Sequence, residues 1–383
     1  MRVCYFGTYR ASYARNVLLI HSLRLAGVDV IECHEALWHS VEDRVQVASG
    51  GWLRPRFWLR VFSAYRNLLR KYRQIGNYDV LVVGYPGQYD VFLARLLSWW
   101  SKKPLVWDVF NSMYLVMLER GIAKRHGFTA GLVRFLEKTA THLPEMMFLD
   151  GSEFVAWFHK IHAVSPQQFR IIPMGADKNE LPGLLPPDFL NTPNDEKFRM
   201  IHYGSYITNH GVETIIEAAH ILEKETHFVF EMIGDGPEKA KAVNLAKSYQ
   251  LKNLVFTPWL GRPELARKIA DANVVLGSFG KTLQASLTYN NKILEALSLK
   301  KAVINGTSPA NPSSLIHGQH LYLVERADPQ ALAEAILTLQ ADPRLCQQLG
   351  ENGYRILCEH FDALPLGQLY QRHLAELLAG RGY

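Results

Sequence analysis

Three side chains that could hold a nucleotide stand close together at Asn291, Lys292 and Glu295. The surrounding pattern predicts a helix from Asn291 to Leu299 with Glu295 in its first turn, so its N-terminal N–H groups can face a phosphate. The Glu295 carboxylate can then accept hydrogen bonds from a pair of ribose hydroxyls, or simply interact with the helix dipole. Lys292 is suited to pairing with a diphosphate or to standing as a solvated surface charge. Lys281 and Thr282 follow an apolar strand and Gly280. That places them at the strand's carboxyl end as further phosphate contacts. Asp108 also closes a strand, where a carboxylate can serve as a base or cap a loop. Gly234-Asp235-Gly236-Pro237 reads as a tight strand-to-helix turn. Trp259, in Pro258-Trp259-Leu260, can border a base or pack internally. No Asp-x-Asp occurs in the chain, and no divalent metal is expected.

The elements that must position these residues alternate regularly. A strand at Arg2–Phe6, a helix from Ala14 to Ala26 and a strand at Asp29–Cys33 open the chain as a βαβ unit, with Gly27 ending the helix. Further strands are predicted at 78–84, 104–108, 146–149 and 169–172, with a helix from Tyr89 to Trp100. The pattern restarts after a proline-rich stretch, Pro173 to Pro193, with strands at 198–203, 227–233, 253–256, 273–277 and 302–305. Helices between them, and Asp328-Pro329 as a well-defined helix start, complete the series. Strands alternating with helices imply parallel sheets covered on both faces. The fold expected is α/β, with two Rossmann-like domains facing a cleft. Residues 1–180 form the first domain and 181–362 the second. The last helices, 343–359 and 364–378, have room to pack back on the first domain, and the segment 363–383 is assigned there.

With 383 residues, 48% of them hydrophobic, the chain can fill two cores. Its apolar stretches are strand-length, and no transmembrane helix or signal peptide is read; a cytoplasmic location is expected. Four scattered cysteines form no CxxC pair, which argues against a zinc site or disulfide framework. The net charge of +6 is uneven, with +8 in residues 1–180 and −2 in the rest. Much of the excess lies between Trp52 and Arg73. Arg54, Arg56, Arg60, Arg66, Arg70 and Lys71 are interleaved there with Trp58 and other apolar residues, and no acid intervenes. Such a segment suits an anionic membrane surface on the inner membrane face, or a helix that buries one side in its own domain. No nucleic-acid module accompanies the charge.

Several loops resemble those of the retaining family-four glycosyltransferases, which have the B-type (GT-B) fold. The second half carries most of it: Tyr203-Gly204-Ser205, then His210-Gly211-Val212-Glu-Thr-Ile-Ile-Glu-Ala218, Ile233-Gly-Asp-Gly-Pro237, and Asn291-Lys292-Ile-Leu-Glu295-Ala-Leu-Ser-Leu-Lys-Lys-Ala-Val303. The opening Phe6-Gly7-Thr8 and Leu25-Ala-Gly-Val-Asp-Val30 is a weaker match that any Rossmann-like unit would give. The resemblance implies donor binding by Gly7, Gly204, Ser205, His210, Lys281, Thr282, Asn291, Lys292 and Glu295, and places Asp108 where the family commonly has a histidine near the sugar. It also implies metal-independent hexosyl transfer, with retention, from a UDP- or GDP-linked sugar to a sugar, lipid-linked or polysaccharide acceptor. The nucleotide-sugar is a co-substrate, and no cofactor is expected. The chain departs from the pattern at three positions. Ser205 and His210 stand where the family places arginine and lysine, and Leu287 stands where it has the first of two glutamates. Those departures leave two alternatives open: a catalytically silent partner protein on the same fold, and a sugar-nucleotide epimerase.

Overall fold

The computed structural model describes residues 1–37, 55–186 and 197–380. The chain divides into two compact units, Met1–Pro173 with Ala363–Tyr383, and Met174–Asp362.

The first unit is built on a six-stranded parallel sheet of order β2-β1-β3-β4-β5-β6. Its strands are β1 (Arg2–Gly7), β2 (Asp29–His34), β3 (Val80–Val83), β4 (Leu105–Asp108), β5 (Met146–Leu149) and β6 (Phe169–Ile171). The central strands are buried along their whole length, as Val80-Leu-Val-Val83 illustrates, because helices cover both sheet faces. Helix α1 (Ala14–Leu25) crosses from β1 to β2. Helices α2 (Pro55–Arg73), α3 (Asp90–Ser101), α4 (Met113–Glu119), α5 (Ile122–Arg125), α6 (Gly127–Thr141) and α7 (Ser152–His162) follow in order. The connections through α2, α3, α6 and α7 all advance the same way across the sheet. Right-handed crossover therefore puts those helices on one face and α1 on the other.

The second unit repeats the scheme with order β12-β11-β10-β7-β8-β9, all parallel. Strand β7 (Phe198–Tyr203) lies centrally. The chain runs outward through β8 (Phe228–Ile233) and β9 (Leu254–Thr257), then returns to the other side of β7 with β10 (Val274–Leu276), β11 (Ala302–Gly306) and β12 (Tyr322–Val324). Helices α8 (Val212–Ile221), α9 (Lys239–Ser248), α10 (Arg262–Asp271), α11 (Leu283–Leu287), α12 (Asn291–Ser298), α13 (Pro329–Ala341) and α14 (Pro343–Ile356) surround it. Ile215, Phe228, Phe230, Val274, Ile304 and Ile336 are fully or almost fully enclosed in its core.

The last two helices separate. Helix α14, which had room to pack on the first domain, stays in the second unit. The reason is close packing: a Cβ at Gly350 would collide with the Lys300 carbonyl, and one at Gly353 with Leu297. Helix α15 (Ala363–Ala379) lies in the first unit, where Leu366, Tyr370 and Leu374 join Leu19, Leu23 and Phe148 in one core. Gly367 permits its tight approach to the Ser22 backbone of α1.

Candidate functional site

In an open parallel sheet, ligands bind beyond the carboxyl ends of the strands, at the point where the strand order reverses. In the second unit that point lies between β7 and β10. Strand β7 ends in His202-Tyr203-Gly204, and Gly204 turns away at φ +134 with its N–H donating to the Ile233 carbonyl at 3.0 Å. The loop after β10 is interlocked with the turn before α8: Phe279 N–H donates to the His210 carbonyl at 2.9 Å. Gly211 and Gly280 leave no room there for a Cβ. The packing brings His210, Gly204 and Lys292 together. A Cβ on Gly204 would sit 3.4 Å from Lys292 Nζ and 3.5 Å from His210 Cε1.

Lys292 is buried, and its Nζ lies 3.4 Å from Nε2 of the fully buried His202. Burial pulls the Lys292 ammonium down to about 7, with Glu295 acting in the opposite direction. Burial, and then the neighbouring Lys292, also pushes the imidazoles of His202 and His210 well below the usual histidine range. The rings of these two histidines are 5.8 Å apart, and His210 Nδ1 is buried without a hydrogen-bond partner. Basic side chains thus converge beside a glycine turn in a place with little water to stabilise their charge.

Glu295 lies deeper in α12 than expected. The helix opens at Asn291 after Asn290, so Glu295 is its fifth residue and falls in the second turn. Side chains hold it instead: Tyr203 donates to Oε2 at 3.0 Å, while Arg262 and Asn291 donate to Oε1 at 2.9 and 3.2 Å. Arg262, at the start of α10, also reaches Glu180 at 2.5 Å. Arg262 and His202 escape a reading of the sequence. The available signal for each was position alone, an arginine opening the helix after Trp259 and a histidine at the carboxyl end of β7.

The remaining expected donor contacts are spread more widely. Ser205 is exposed beside Gly204. Lys281 is largely exposed, 3.8 Å from Glu325. Thr282 accepts from the Ala285 N–H at 3.2 Å and caps α11. Gly7 lies in the first unit, and the space beside it is filled by Asp90. A Cβ there would come within 2.6 Å of that carboxylate, which accepts from the Thr8 N–H at 2.7 Å and from the Tyr65 hydroxyl at 2.7 Å. The Gly7 turn is therefore a structural junction, with its N–H directed at a protein carboxylate.

Asp108 calls for a correction. It has no exposed surface, and Arg15 grips it through Nε at 3.0 Å and Nη2 at 2.8 Å. A carboxylate so enclosed is one half of a buried ion pair and has no face for a sugar. Nearby Asp150, just beyond β5, has both oxygens buried without partners, and burial raises it to about 7 against the pull of Arg15.

The basic segment forms α2. Ala64 and Leu68 are buried, and Phe57 and Val61 pack against Ala64 and Leu37. Trp58, Leu59 and Phe62 are exposed by 56%, 69% and 69%, beside exposed Arg56, Arg66 and Arg70 and half-buried Arg60. Lys71 is paired with Glu35 at 2.7 Å, and Arg54 lies outside the described residues. On the same layer, Leu96, Trp99 and Trp100 of α3 and Phe128 and Phe135 of α6 are also exposed. Among the described residues no helix is long and apolar enough to cross a membrane, and no group of three or more His, Cys, Asp or Glu is placed to hold a metal ion.

Residues 188–356 match the family model described as glycosyl transferases group 1. The N-acetyl-alpha-D-glucosaminyl L-malate synthase of Bacillus anthracis is 22% identical over 173 residues, 45% of this chain and 44% of that relative's length. Sucrose-phosphate synthase from Thermosynechococcus elongatus superposes with a TM-score of 0.69 at 18% identity, covering 98% of this chain and all of that one. Anabaena HepE, solved with UDP-glucose, gives 0.67 at 14% identity, with 99% and 100% covered. These likenesses establish the two-sheet GT-B fold.

Proposed function

With residues 188–356 a group 1 glycosyl transferase domain on the GT-B fold, we propose that the protein moves a hexosyl group from a nucleoside-diphosphate sugar to an acceptor. The observation that carries this reading is the convergence of Gly204, Lys292 and Glu295 at the carboxyl ends of β7 and β10, where the strand order reverses. In this reading the diphosphate lies over Gly204 against Lys292 and the start of α12, and the ribose hydroxyls donate to Glu295. An acceptor hydroxyl oxygen bonds to the anomeric carbon as the bond to the diphosphate breaks, and the hydroxyl's proton passes to the departing diphosphate. The departing charge is met by Lys292 and by fixed N–H groups, which need no reorganisation at the moment of reaction.

A UDP-linked sugar is the first donor to test, because HepE was solved with UDP-glucose. GDP-sugars are the second. Retention of configuration and metal independence follow from the family-four resemblance and from the missing Asp-x-Asp. For the acceptor we propose a lipid-linked sugar or polysaccharide met at an anionic membrane on the cytoplasmic side. The basic helix α2 with its exposed Trp58, Leu59 and Phe62 supports that location.

A second reading, a catalytically silent partner protein, draws on particular residues. Ser205 and His210 supply no permanent cation, and Leu287, eight positions before Glu295, is buried and apolar. A thermal-shift screen against UDP, GDP and their sugar conjugates, repeated with Glu295→Ala, tests both. Stabilisation by one nucleotide that the variant loses supports the donor site. No shift with any nucleotide favours the silent partner.

A further inference from the structure

We propose that His202 is a positioning residue of the donor site, holding Lys292 through an acceptor nitrogen so that the site takes up a proton as a diphosphate enters. The inference rests on the donor-site reading above and adds to it a residue and a proton.

The geometry fixes the roles. His202 Nδ1 is 3.1 Å from the Leu276 carbonyl of β10. A carbonyl only accepts, so Nδ1 carries the hydrogen and Nε2 presents its lone pair. Nε2 faces Lys292 Nζ at 3.4 Å, and an amine or ammonium can donate to it in either charge state. The nitrogen so held lies beside the space that Gly204 leaves open, with His210 on its other side. The imidazole therefore aims Lys292 at the turn without neutralising it.

The groups facing Lys292 come from each neighbouring element. His202 and Tyr203 belong to β7, His210 to the turn before α8, and Glu295 to α12 itself, while Arg262 of α10 acts through Glu295. Glu295 already accepts from Tyr203, Arg262 and Asn291, so it is poorly placed to serve as a dedicated counter-ion for Lys292. An entering diphosphate brings the missing negative charge. Burial leaves Lys292 near 7 in the empty site, and an adjacent anion favours its charged form. Below neutral pH the ammonium is already present and binding exchanges few protons. Above it, binding draws a proton from solvent, and affinity falls as pH rises. A fixed arginine and lysine in the positions of Ser205 and His210 would show no such dependence.

The test is calorimetric titration of UDP, and separately GDP, at pH 6.5, 7.5 and 8.5, each in two buffers of different ionisation heat. Over this range the terminal phosphate, with a second pKa of about 6, is largely ionised and contributes little. The expected result is uptake of roughly half to one proton at pH 8.5, and Kd weakening about tenfold between pH 6.5 and 8.5. His202→Leu should weaken binding several-fold at pH 6.5, and His202→Gln, which keeps an acceptor, should restore most of it. If His202→Leu does not fold, Lys292→Met serves, and it should abolish the uptake. Equal heats in both buffers with a constant Kd would overturn the inference and leave the donor site standing. So would uptake that survives Lys292→Met. Failure of both nucleotides to bind at pH 6.5 would overturn the donor-site reading, and this inference with it.

Discussion

Lys292 carries opposed demands of stability and binding. Its ammonium is buried, and its folded-state pKa near 7 lies below the ordinary lysine value of 10.5. Between those values the unfolded chain binds the extra proton, so this group's contribution to stability rises with pH from about 7 to about 10.5 and is flat below 7. Lys292→Met keeps the stem and removes the charge. We expect it to raise Tm at pH 7 by about 2–4 °C while weakening UDP binding at least tenfold, read by calorimetry and titration on one preparation. A fall in Tm would mean that the ammonium is already satisfied. Arg15 and Asp108 behave in the opposite way, because each leaves a buried charge unpaired when the other is removed. Asp108→Asn should cost about 3–5 kcal/mol in urea unfolding. Loss of activity without loss of stability would instead return Asp108 to the chemistry. The pairing was not apparent from the sequence around Asp108, since Arg15 stands 93 positions away. The same distance problem hid Arg262 from Glu295 and Asp90 from the Gly7 turn, because spacing arguments reach along one element and these pairs join different ones.

Elements whose burial follows a simple period were legible. Val80–Val83, Phe198–Tyr203 and Ala302–Gly306 fall within a residue or two of their predicted limits. The helices between Met113 and Thr141 were not read, and α4 shows why. Ser112 caps it, and the buried Glu137 accepts from Ser112 Oγ at 2.5 Å and from the Met113 N–H at 2.8 Å. A helix start fixed by a carboxylate from another helix leaves little signature in its own sequence. Helix α11 gives Thr282 a capping contact by a similar local argument. If the hydroxyl is a cap rather than a phosphate contact, Thr282→Ala should cost about 1 kcal/mol and leave the UDP Kd within twofold, while Thr282→Ser should restore the stability. A tenfold loss of UDP affinity in the alanine variant, at unchanged Tm, would make it a ligand contact.

Across the whole molecule, charge and apolar exposure are unevenly shared. Residues 1–180 carry the positive excess, and α2, α3 and α6 leave Trp58, Phe62, Trp100 and Phe128 in solvent on one layer of the first unit. The amphipathic segment of α2 could be read from its arginines and aromatics, whereas the exposed residues of α3 and α6 join it only once the sheet order is known. Vesicles containing anionic lipid should sediment the protein, and neutral vesicles should not. Replacing Trp58, Leu59 and Phe62 with serine should reduce that binding severalfold without altering UDP affinity. Equal binding to neutral vesicles would remove the electrostatic part of the argument.

The central claim places the donor nucleotide in the second unit, at the carboxyl ends of β7 and β10. A crystal structure with UDP bound tests it most directly. The account predicts phosphate oxygens within hydrogen-bond reach of Lys292 Nζ and the Gly204 turn, and the ribose hydroxyls on Glu295. Nucleotide seated elsewhere, with Lys292 still turned to His202 and Glu295 still held by Arg262 and Tyr203, would contradict it.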